Sequence, residues 1–299
     1  MQIGMVGLGR MGGNMTERLL RGGHQVVVFD RDRTAVEAAV ARGALGVDRL
    51  ETLPDRLDRP AAVWMMIPAG DPVDQTIATL VPTIGKGGIL IDGGNSNYRD
   101  TLRRSAGLGS HGIELVDCGT SGGIWGLEQG YCLMIGGSPE AIDRLQPVFR
   151  TLAPPDGFAH VGPAGAGHYV KMIHNGIEYG LLQAYAEGYE ILHQTGRFSL
   201  DLHQIAKVWN RGSVIRSWLN ELAERAFARD AGLGDVSDWI ADSGEGRWTL
   251  QEAVDLDVPA PSLALALFAR FGSRQKESFA GKVIAALRRE FGGHAVHTP

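Results

Sequence analysis

Short apolar runs and amphipathic segments alternate through the first half of the chain, and amphipathic segments alone fill the second. QIGMV from residue 2, QVVVFD, AAVWMMI at 61–67, GGILIDGG at 87–94, IELVDCG at 113–119, YCLMIGG at 131–137 and FAHVG have the length of buried strands. Between them, helical periodicity predicts helices near 11–21, 33–43, 72–84 and 139–150. Repeated strand–helix–strand order builds a mostly parallel, doubly wound sheet. From residue 165 the pattern is helical throughout, with segments at 165–195, 201–210, 212–229, 248–256, 260–271 and 274–290. The pattern divides the chain into an α/β domain over 1–163 and an all-α domain over 164–299.

The first of those later segments, GAGHYVKMIHNGIEYG at 165–180, carries an unusual polar stripe. At about 100° per residue, Lys171, His174, Asn175 and Glu178 share one face, while Met172, Ile173, Ile177 and Leu181, with Val170 beside them, offer the opposite face for packing. An amine, an imidazole, an amide and a carboxylate on one side make an acid/base device if the stripe faces a cavity. If it faces water, it is an ordinary solvated surface with an ion pair.

The beginning of the chain supplies a reason to prefer chemistry. Gly7, Gly9 and Gly12 stand in the spacing GxGxxG, directly after a strand and at the start of a helix. Such spacing gives a tight turn, close backbone approach to a pyrophosphate, and close helix-to-strand packing. The second strand ends in Asp30, whose carboxylate suits two ribose hydroxyls and repels a 2′-phosphate, so NAD is favoured over NADP. Arg31 and Arg33 follow with charge that a 2′-phosphate would attract, which leaves NADP as the weaker alternative. The cofactor surface is assigned to Gly7, Leu8, Gly9, Arg10, Met11 and Gly12, to Asp30 and Arg31, and to the strand ends at Ile67, Pro68, Ala69 and Asn95. Ser121, Gly122 and Gly123 offer a hydroxyl and unhindered N–H groups to a carboxylate or phosphate, or simply form a flexible hairpin. The fold expected is thus a Rossmann-type doubly wound sheet followed by helices.

Composition narrows the setting. At 299 residues and 44% hydrophobic content the chain can bury a substantial core, and a net charge of -5 gives no overall attraction to nucleic acid or to an acidic membrane. Cys118 and Cys132 lie in strand-like runs without metal-ligand spacing and read as buried thiols of a reducing compartment. His168 and His174 also lack partner ligands at metal-binding spacing, so no metal is expected. With no leader pattern and no long apolar run, a cytoplasmic location is expected. The many apolar helical faces call for a partner subunit, in a homodimer or homotetramer.

GLGRMG at 7–12, DGGNSNYRDT at 92–101, SGG at 121–123, GHYVKMIHNGIEYG at 167–180, GEGRWT at 244–249 and FAR at 268–270 together resemble the decarboxylating 6-phosphogluconate dehydrogenase family, within the β-hydroxyacid dehydrogenases. The resemblance covers nearly the whole chain. It implies oxidation of 6-phosphogluconate at C3 and loss of C1 as carbon dioxide, giving ribulose 5-phosphate, in a pentose phosphate or gluconate-utilisation setting. Lys171 falls on the family's catalytic lysine and Glu178 on its glutamate. Substrate contacts fall on Asn95, Ser121, Gly122, Gly123, His174, Asn175, Tyr179 and Arg270, and Arg247 stands where long members carry lysine. Long members also have a further helical repeat and a tail reaching a neighbouring subunit; this chain ends as a short form would.

Two other readings stay open. A 3-hydroxyisobutyrate-type dehydrogenase would oxidise without decarboxylation, but a small acid has no phosphate for Arg247, Arg270 and Arg288 to hold. A non-catalytic dinucleotide-binding module would have no need of Lys171 with Glu178. In the tail, Arg288 and His294 keep the six-residue spacing of the long family's inter-subunit contacts, and are assigned to the substrate phosphate. Deleting residues 288–299 is therefore expected to raise KM for the phosphorylated substrate in steady-state assays, whereas an unchanged KM takes the tail out of the site.

Overall fold

The computed structural model describes residues 1–297; Thr298 and Pro299, the end of the tail assigned to the substrate phosphate, lie outside the described residues. The first elements are β1 (Gln2–Val6), α1 (Arg10–Arg21), β2 (Gln25–Phe29), α2 (Arg33–Val40), β3 (Leu45–Gly46), β4 (Ala62–Met65), α3 (Asp71–Ile84), β5 (Ile89–Asp92) and α4 (Tyr98–Gly109). They continue as β6 (Glu114–Ser121), α5 (Gly126–Gln129), β7 (Cys132–Gly136), α6 (Pro139–Leu152) and β8 (Phe158–Gly162). Helices complete the chain: α7 (Ala166–Gln194), α8 (Leu202–Trp209), α9 (Trp218–Arg229), α10 (Glu245–Asp255), α11 (Pro261–Gly272) and α12 (Phe279–Gly292). Compact packing separates the residues up to His174 from those beginning at Asn175, so that α7 belongs to both units.

In the first unit one eight-stranded sheet has the order β3-β2-β1-β4-β5-β6-β7-β8. All neighbours pair in parallel except β6 and β7. The chain leaves β1 in one direction to β2 and returns on its other side at β4, the reversal that leaves a crevice at the carboxyl ends of the strands. Alternation along the strands fills both faces: Ile3, Met5 and Trp64 join Leu145 and Phe149 on one, while Val63, Met65 and Leu90 join Leu80 and Ile84 on the other.

Several elements depart from the sequence pattern. α4 was not expected from periodicity, because its inward face is Thr101, Arg104 and Leu108 rather than an apolar stripe. Its start was nonetheless written in the chain: the Asn97 side chain accepts from Arg99 N at 2.9 Å. α9 begins at Trp218 rather than 212, where the Ser217 hydroxyl caps Asn220 N at 3.1 Å. α12 likewise begins after the capping Ser278 rather than at 274, and α10 begins earlier, at Glu245, after Gly244 turns with φ +103°. Cys132, expected to be buried, is exposed at the first position of β7, whereas Cys118 is buried and its thiol is held well above the usual range by burial.

The docking of α7 on the sheet follows the expected faces only in part: Met172 is buried as expected. Lys171 is only 5% exposed, while Ile177 and Leu181, expected to pack, are 52% and 48% exposed. The cause is a set of glycines. A β-carbon at Gly167 would lie 2.4 Å from the Met134 carbonyl oxygen and 2.6 Å from that of Asp117, and one at Gly119 would lie 2.4 Å from Lys171 Cβ. Without those atoms the first turns of α7 rest directly on β6 and β7, so the helix approaches by its smallest face rather than its most apolar one. The buried Asp117 carboxylate completes the joint, accepting from Gly165 N at 2.6 Å and His168 N at 2.7 Å. It does from β6 what an N-cap residue does from within a helix.

The second unit has two small cores. Tyr189, Leu202, Ala206 and Phe227 form one; Tyr179, Ala266 and Leu267 form the other. α12 buries no residue, and Phe279, Leu287 and Phe291 stand exposed along it.

If close approach at Gly167 holds the joint, Gly167→Ala destabilises the protein by about 1–3 kcal/mol, the usual cost of overpacking. Gly107→Ala is the control, because a β-carbon there meets nothing within 4 Å. Urea denaturation of both variants checks this; equal midpoints would remove the glycine argument.

Candidate active site

The carboxyl ends of the parallel strands bring the candidate residues of the first unit into one line. Gly7 turns with φ +91°, and a β-carbon there would lie 2.4 Å from the Met66 carbonyl oxygen. At Gly12 a β-carbon would lie 1.9 Å from the Gly7 carbonyl oxygen, so the α1 turn closes only with glycine. Gly9 differs: a β-carbon would meet nothing within 4 Å, and no side chain caps the helix that starts at Arg10. Open space before uncapped N–H groups is what a pyrophosphate requires, and Leu8, Arg10 and Met11 complete this turn.

Asp30 follows β2, with Oδ2 accepting from Leu8 N at 2.5 Å and Oδ1 from Asp32 N at 2.8 Å. Each oxygen keeps further lone-pair capacity, so the carboxylate can brace the glycine turn and still accept from a ribose. Phe29, Asp30, Arg31, Arg33, Val36 and Asp48 line a hollow of about 420 Å³ beside it. Arg33 reaches Asp48 at 3.1 Å, which engages one of the two arginines with a carboxylate. The glycine turn, Asp30 and this hollow fit the pyrophosphate, ribose and adenine of NAD.

The line continues across the sheet. A β-carbon at Gly94 would lie 2.3 Å from the Ile67 carbonyl oxygen, so the loop holding Ile67, Pro68 and Ala69 touches the loop holding Asn95. Asn95 lies in the left-handed region at φ +54°, and part of its amide is engaged within the protein. Its Oδ1 accepts from Thr120 N at 2.9 Å and its Nδ2 donates to the Thr120 carbonyl at 3.2 Å, leaving one donor and one lone pair for a ligand. Beyond Thr120 come Ser121, Gly122 at φ +128° and Gly123 at φ +53°, then the segment around α5. That segment is tied to α1 by Asn14 donating to the Ile124 carbonyl at 3.4 Å and Arg18 to the Leu127 carbonyl at 3.0 Å. Before Thr120 lies Gly119, against which Lys171 packs; Lys171 Nζ is 3.5 Å from His174 Nδ1.

Behind these loops sits Arg104, which sequence reasoning passed over. Its Nε and Nη2 donate to the two oxygens of Asp74 at 3.0 Å each, Nη2 to the Gly70 carbonyl at 3.0 Å, and Nη1 to Asp92 at 3.4 Å and Ser96 at 3.3 Å. One buried guanidinium therefore fixes the ends of both loops. Asp92 adds Gly94 N at 3.0 Å and Ser96 Oγ at 2.7 Å. A carboxylate inside an otherwise apolar strand, as at Asp92 and Asp117, is the sequence signal for such a joint, because a buried charge requires partners.

In the second unit, α7 continues through Asn175, Glu178 and Tyr179. The Tyr179 ring is buried, with the Arg270 guanidinium 3.4 Å from its centroid, and Arg270 donates to the Ala241 carbonyl at 2.9 Å. Arg247 donates to Asp242 at 2.7 Å and lies 4.4 Å from the Phe271 centroid; Arg274, also missed, pairs with the same carboxylate at 3.5 Å. Burial raises the Asp242 pKa, but the hydrogen bonds from Arg247 and Gly244 N outweigh it and hold the carboxyl below its ordinary value. Arg247 and Arg274 share the Asp242 carboxylate, while Arg270 lies over the Tyr179 ring; with the buried Glu245 beside Ser243, the three guanidiniums still outnumber the two carboxylates, a balance suited to an anion. Arg288 on α12 and His294 beyond it are exposed. Among the described residues no group of three or more His, Cys, Asp or Glu could hold a metal ion, and no helix is long and apolar enough to cross a membrane.

The profile of the NAD binding domain of 6-phosphogluconate dehydrogenase matches residues 2–162, and that of the 6-phosphogluconate dehydrogenase C-terminal domain matches residues 167–293. The NAD(+)-dependent, decarboxylating 6-phosphogluconate dehydrogenase of Haloferax volcanii is 47% identical over 99% of this chain and 98% of its own length. The Plasmodium falciparum 6-phosphogluconate dehydrogenase, solved in apo form and with NADP+ or 6-phosphogluconate, superposes with TM-score 0.85 at 29% identity, over 100% of this chain and 66% of the longer one. Mycobacterium tuberculosis 3-hydroxyisobutyrate dehydrogenase shares the fold, with TM-score 0.73 at 23% identity.

Arg104, and after it Arg103, hold the Asp74 carboxyl well below the usual carboxylate range against an opposing effect of burial. A depressed folded-state pKa contributes stability above the unfolded value, near 3.9, that is lost as pH falls through the folded one. Asp74→Asn is therefore expected to flatten the fall in stability below about pH 4. Denaturant midpoints measured from pH 6 downward check this, and parallel curves for variant and wild type would contradict it.

Proposed function

The chain belongs to the 6-phosphogluconate dehydrogenase family, and from that premise we propose that it converts 6-phosphogluconate to ribulose 5-phosphate and carbon dioxide with reduction of NAD. The observation that carries the reading is the Lys171 amine, buried one turn from His174 beside the strand ends that suit a dinucleotide, with Glu178 two turns further along the same helix. NAD, when bound, accepts the hydride leaving C3. Gly7, Gly9, Gly12 and Asp30 support that choice of cofactor, as does the NAD(+) dependence named for the Haloferax volcanii relative. NADP is the weaker alternative.

Hydride can leave C3 only as its hydroxyl loses a proton, so the neutral amine of Lys171 acts as the base. Once protonated, it donates back to the new carbonyl oxygen and stabilises the enolate formed as C1 departs as carbon dioxide. A β-keto acid supplies its own electron sink in that ketone, so the residues at hand suffice for the step. Glu178 then protonates the enediol at the carbon that had carried C1, as the hydroxyl at the old C3 returns its proton to the Lys171 amine and the ketone of ribulose 5-phosphate forms. His174 and Asn175 orient the C3 hydroxyl and the carboxylate, and Asn95, Ser121, Gly122 and Gly123 bind the sugar acid.

Arg247 and Arg270, with Tyr179, hold the phosphate. Arg288 and His294 also reach it, in their own or a neighbouring subunit of a homodimer or homotetramer. The uncovered apolar residues of α7 and α12, Ile177 and Leu181 on the first and Leu287 and Phe291 on the second, support such an assembly.

Purified enzyme with 6-phosphogluconate is expected to form reduced cofactor and carbon dioxide in equal amounts, with higher kcat/KM for NAD than for NADP. Reduction without carbon dioxide would point to a simple hydroxyacid dehydrogenase and sink the reading. Lys171→Ala should lower kcat by about 10²–10⁴-fold for both steps, and Glu178→Gln should impair mainly the protonation. Substantial turnover by Lys171→Ala would remove the base.

A further inference from the structure

The start of α7 holds an imidazole that the proposed reaction leaves unused. His168 is 1% exposed and engaged at each of its polar positions. Its backbone N–H donates to Asp117 Oδ2 at 2.7 Å, Nε2 lies 3.1 Å from the Asp92 carbonyl oxygen, and Nδ1 lies 2.8 Å from Thr101 Oγ1. A carbonyl oxygen only accepts, so the proton sits on Nε2, and Nδ1 accepts from the Thr101 hydroxyl. With both nitrogens occupied and the ring shut away from solvent, His168 cannot exchange protons with a substrate. It can only hold its neighbours in place.

Those neighbours decide what is held. Asp92 ends β5 and opens the loop that carries Asn95, while Thr101 lies on α4. Asp117 grips the two N–H groups at the very start of α7, which anchors the helix along its axis but constrains rotation about that axis only weakly. A side chain pointing sideways to two fixed partners constrains rotation strongly. Lys171 follows one turn later. Helical side chains reach about 5–6 Å from the axis, so a turn of about 10° moves their ends by about 1 Å.

We infer that His168 is a positioning residue, which sets the rotation of α7 through Asp92 and Thr101 and thereby the place where Lys171 holds its amine relative to the loop at 93–96. The inference rests on the reading of Lys171 as the base. Histidine suits the task because it donates and accepts from opposite corners of a rigid ring; glutamine offers both functions at similar reach, and leucine neither.

The test compares full-length wild type with His168→Leu, His168→Gln and Thr101→Val, each first checked for cooperative thermal unfolding. Displacing the base by about 1 Å lowers kcat about 100-fold in His168→Leu, with KM for NAD and 6-phosphogluconate little changed, and His168→Gln restores most of the loss. The second readout is the rate at which a lysine-directed acylating reagent modifies Lys171, resolved by mass spectrometry from the other four lysines, Lys86, Lys207, Lys276 and Lys282. That rate rises in His168→Leu and returns towards wild type in His168→Gln. It needs no turnover, so wild-type enzyme inert towards 6-phosphogluconate would sink the substrate reading and still leave the positioning role to be decided. An unchanged Lys171 rate in His168→Leu overturns the inference, as does a loss that His168→Gln reproduces in full. If the leucine variant does not fold, Thr101→Val, which deletes one ring contact, decides by the same two readouts.

Discussion

The joint between α7 and strands β6 and β7 is the constraint on which the candidate site depends. Its parts are absences and one charge: no side chain at Gly119, Gly136 or Gly167, and the buried Asp117 carboxylate at the helix start. Dispersion forces decay within an ångström of contact, so backbone can rest on backbone only where β-carbons are missing. Asp117 makes the close approach tolerable by satisfying N–H groups that would otherwise be buried without partners. The consequence is chemical. The same packing that removes solvent from the helix start removes it from Lys171, one turn further on.

A second device recurs in both units, with opposite emphasis. Arg104 is buried and spends its donors on Asp74, Gly70, Asp92 and Ser96, so its charge is consumed in holding loops. Around Asp242 the balance is reversed, because Arg247 and Arg274 share one carboxylate while Arg270 lies over the Tyr179 ring. Aromatic faces stabilise a guanidinium without neutralising it, so the positive charge stays available to an anion. The first arrangement is structural cement and the second leaves charge at the surface of the unit, although both read as arginine and aspartate in the chain.

Legibility follows the range of the forces involved. The glycine fingerprint, Asp30 and the strand–helix alternation were readable because each is specified by neighbours along the chain. α4 escaped because its buried face carries Thr101 and Arg104, whose partners Asp74, Asp92 and His168 lie on other elements. The premature starts given to α9 and α12 came from trusting apolar spacing over the capping serines Ser217 and Ser278, which were visible. Asn95 was assigned to the site from the chain alone, but its pairing with Thr120 depends on two strands lying side by side.

The sequence by itself determined the fold class, the family, and which residues share the polar stripe of α7, because periodicity and motif spacing are properties of a single chain. It did not determine which face of α7 is buried. Hydrophobicity pointed to Met172, Ile177 and Leu181; Met172 did go inward, but Lys171 went with it while Ile177 and Leu181 stayed out. Only the tertiary structure decided this, because the closest approach between a helix and a sheet is set by the smallest side chains at the contact. At that contact, three glycines from three separate elements meet.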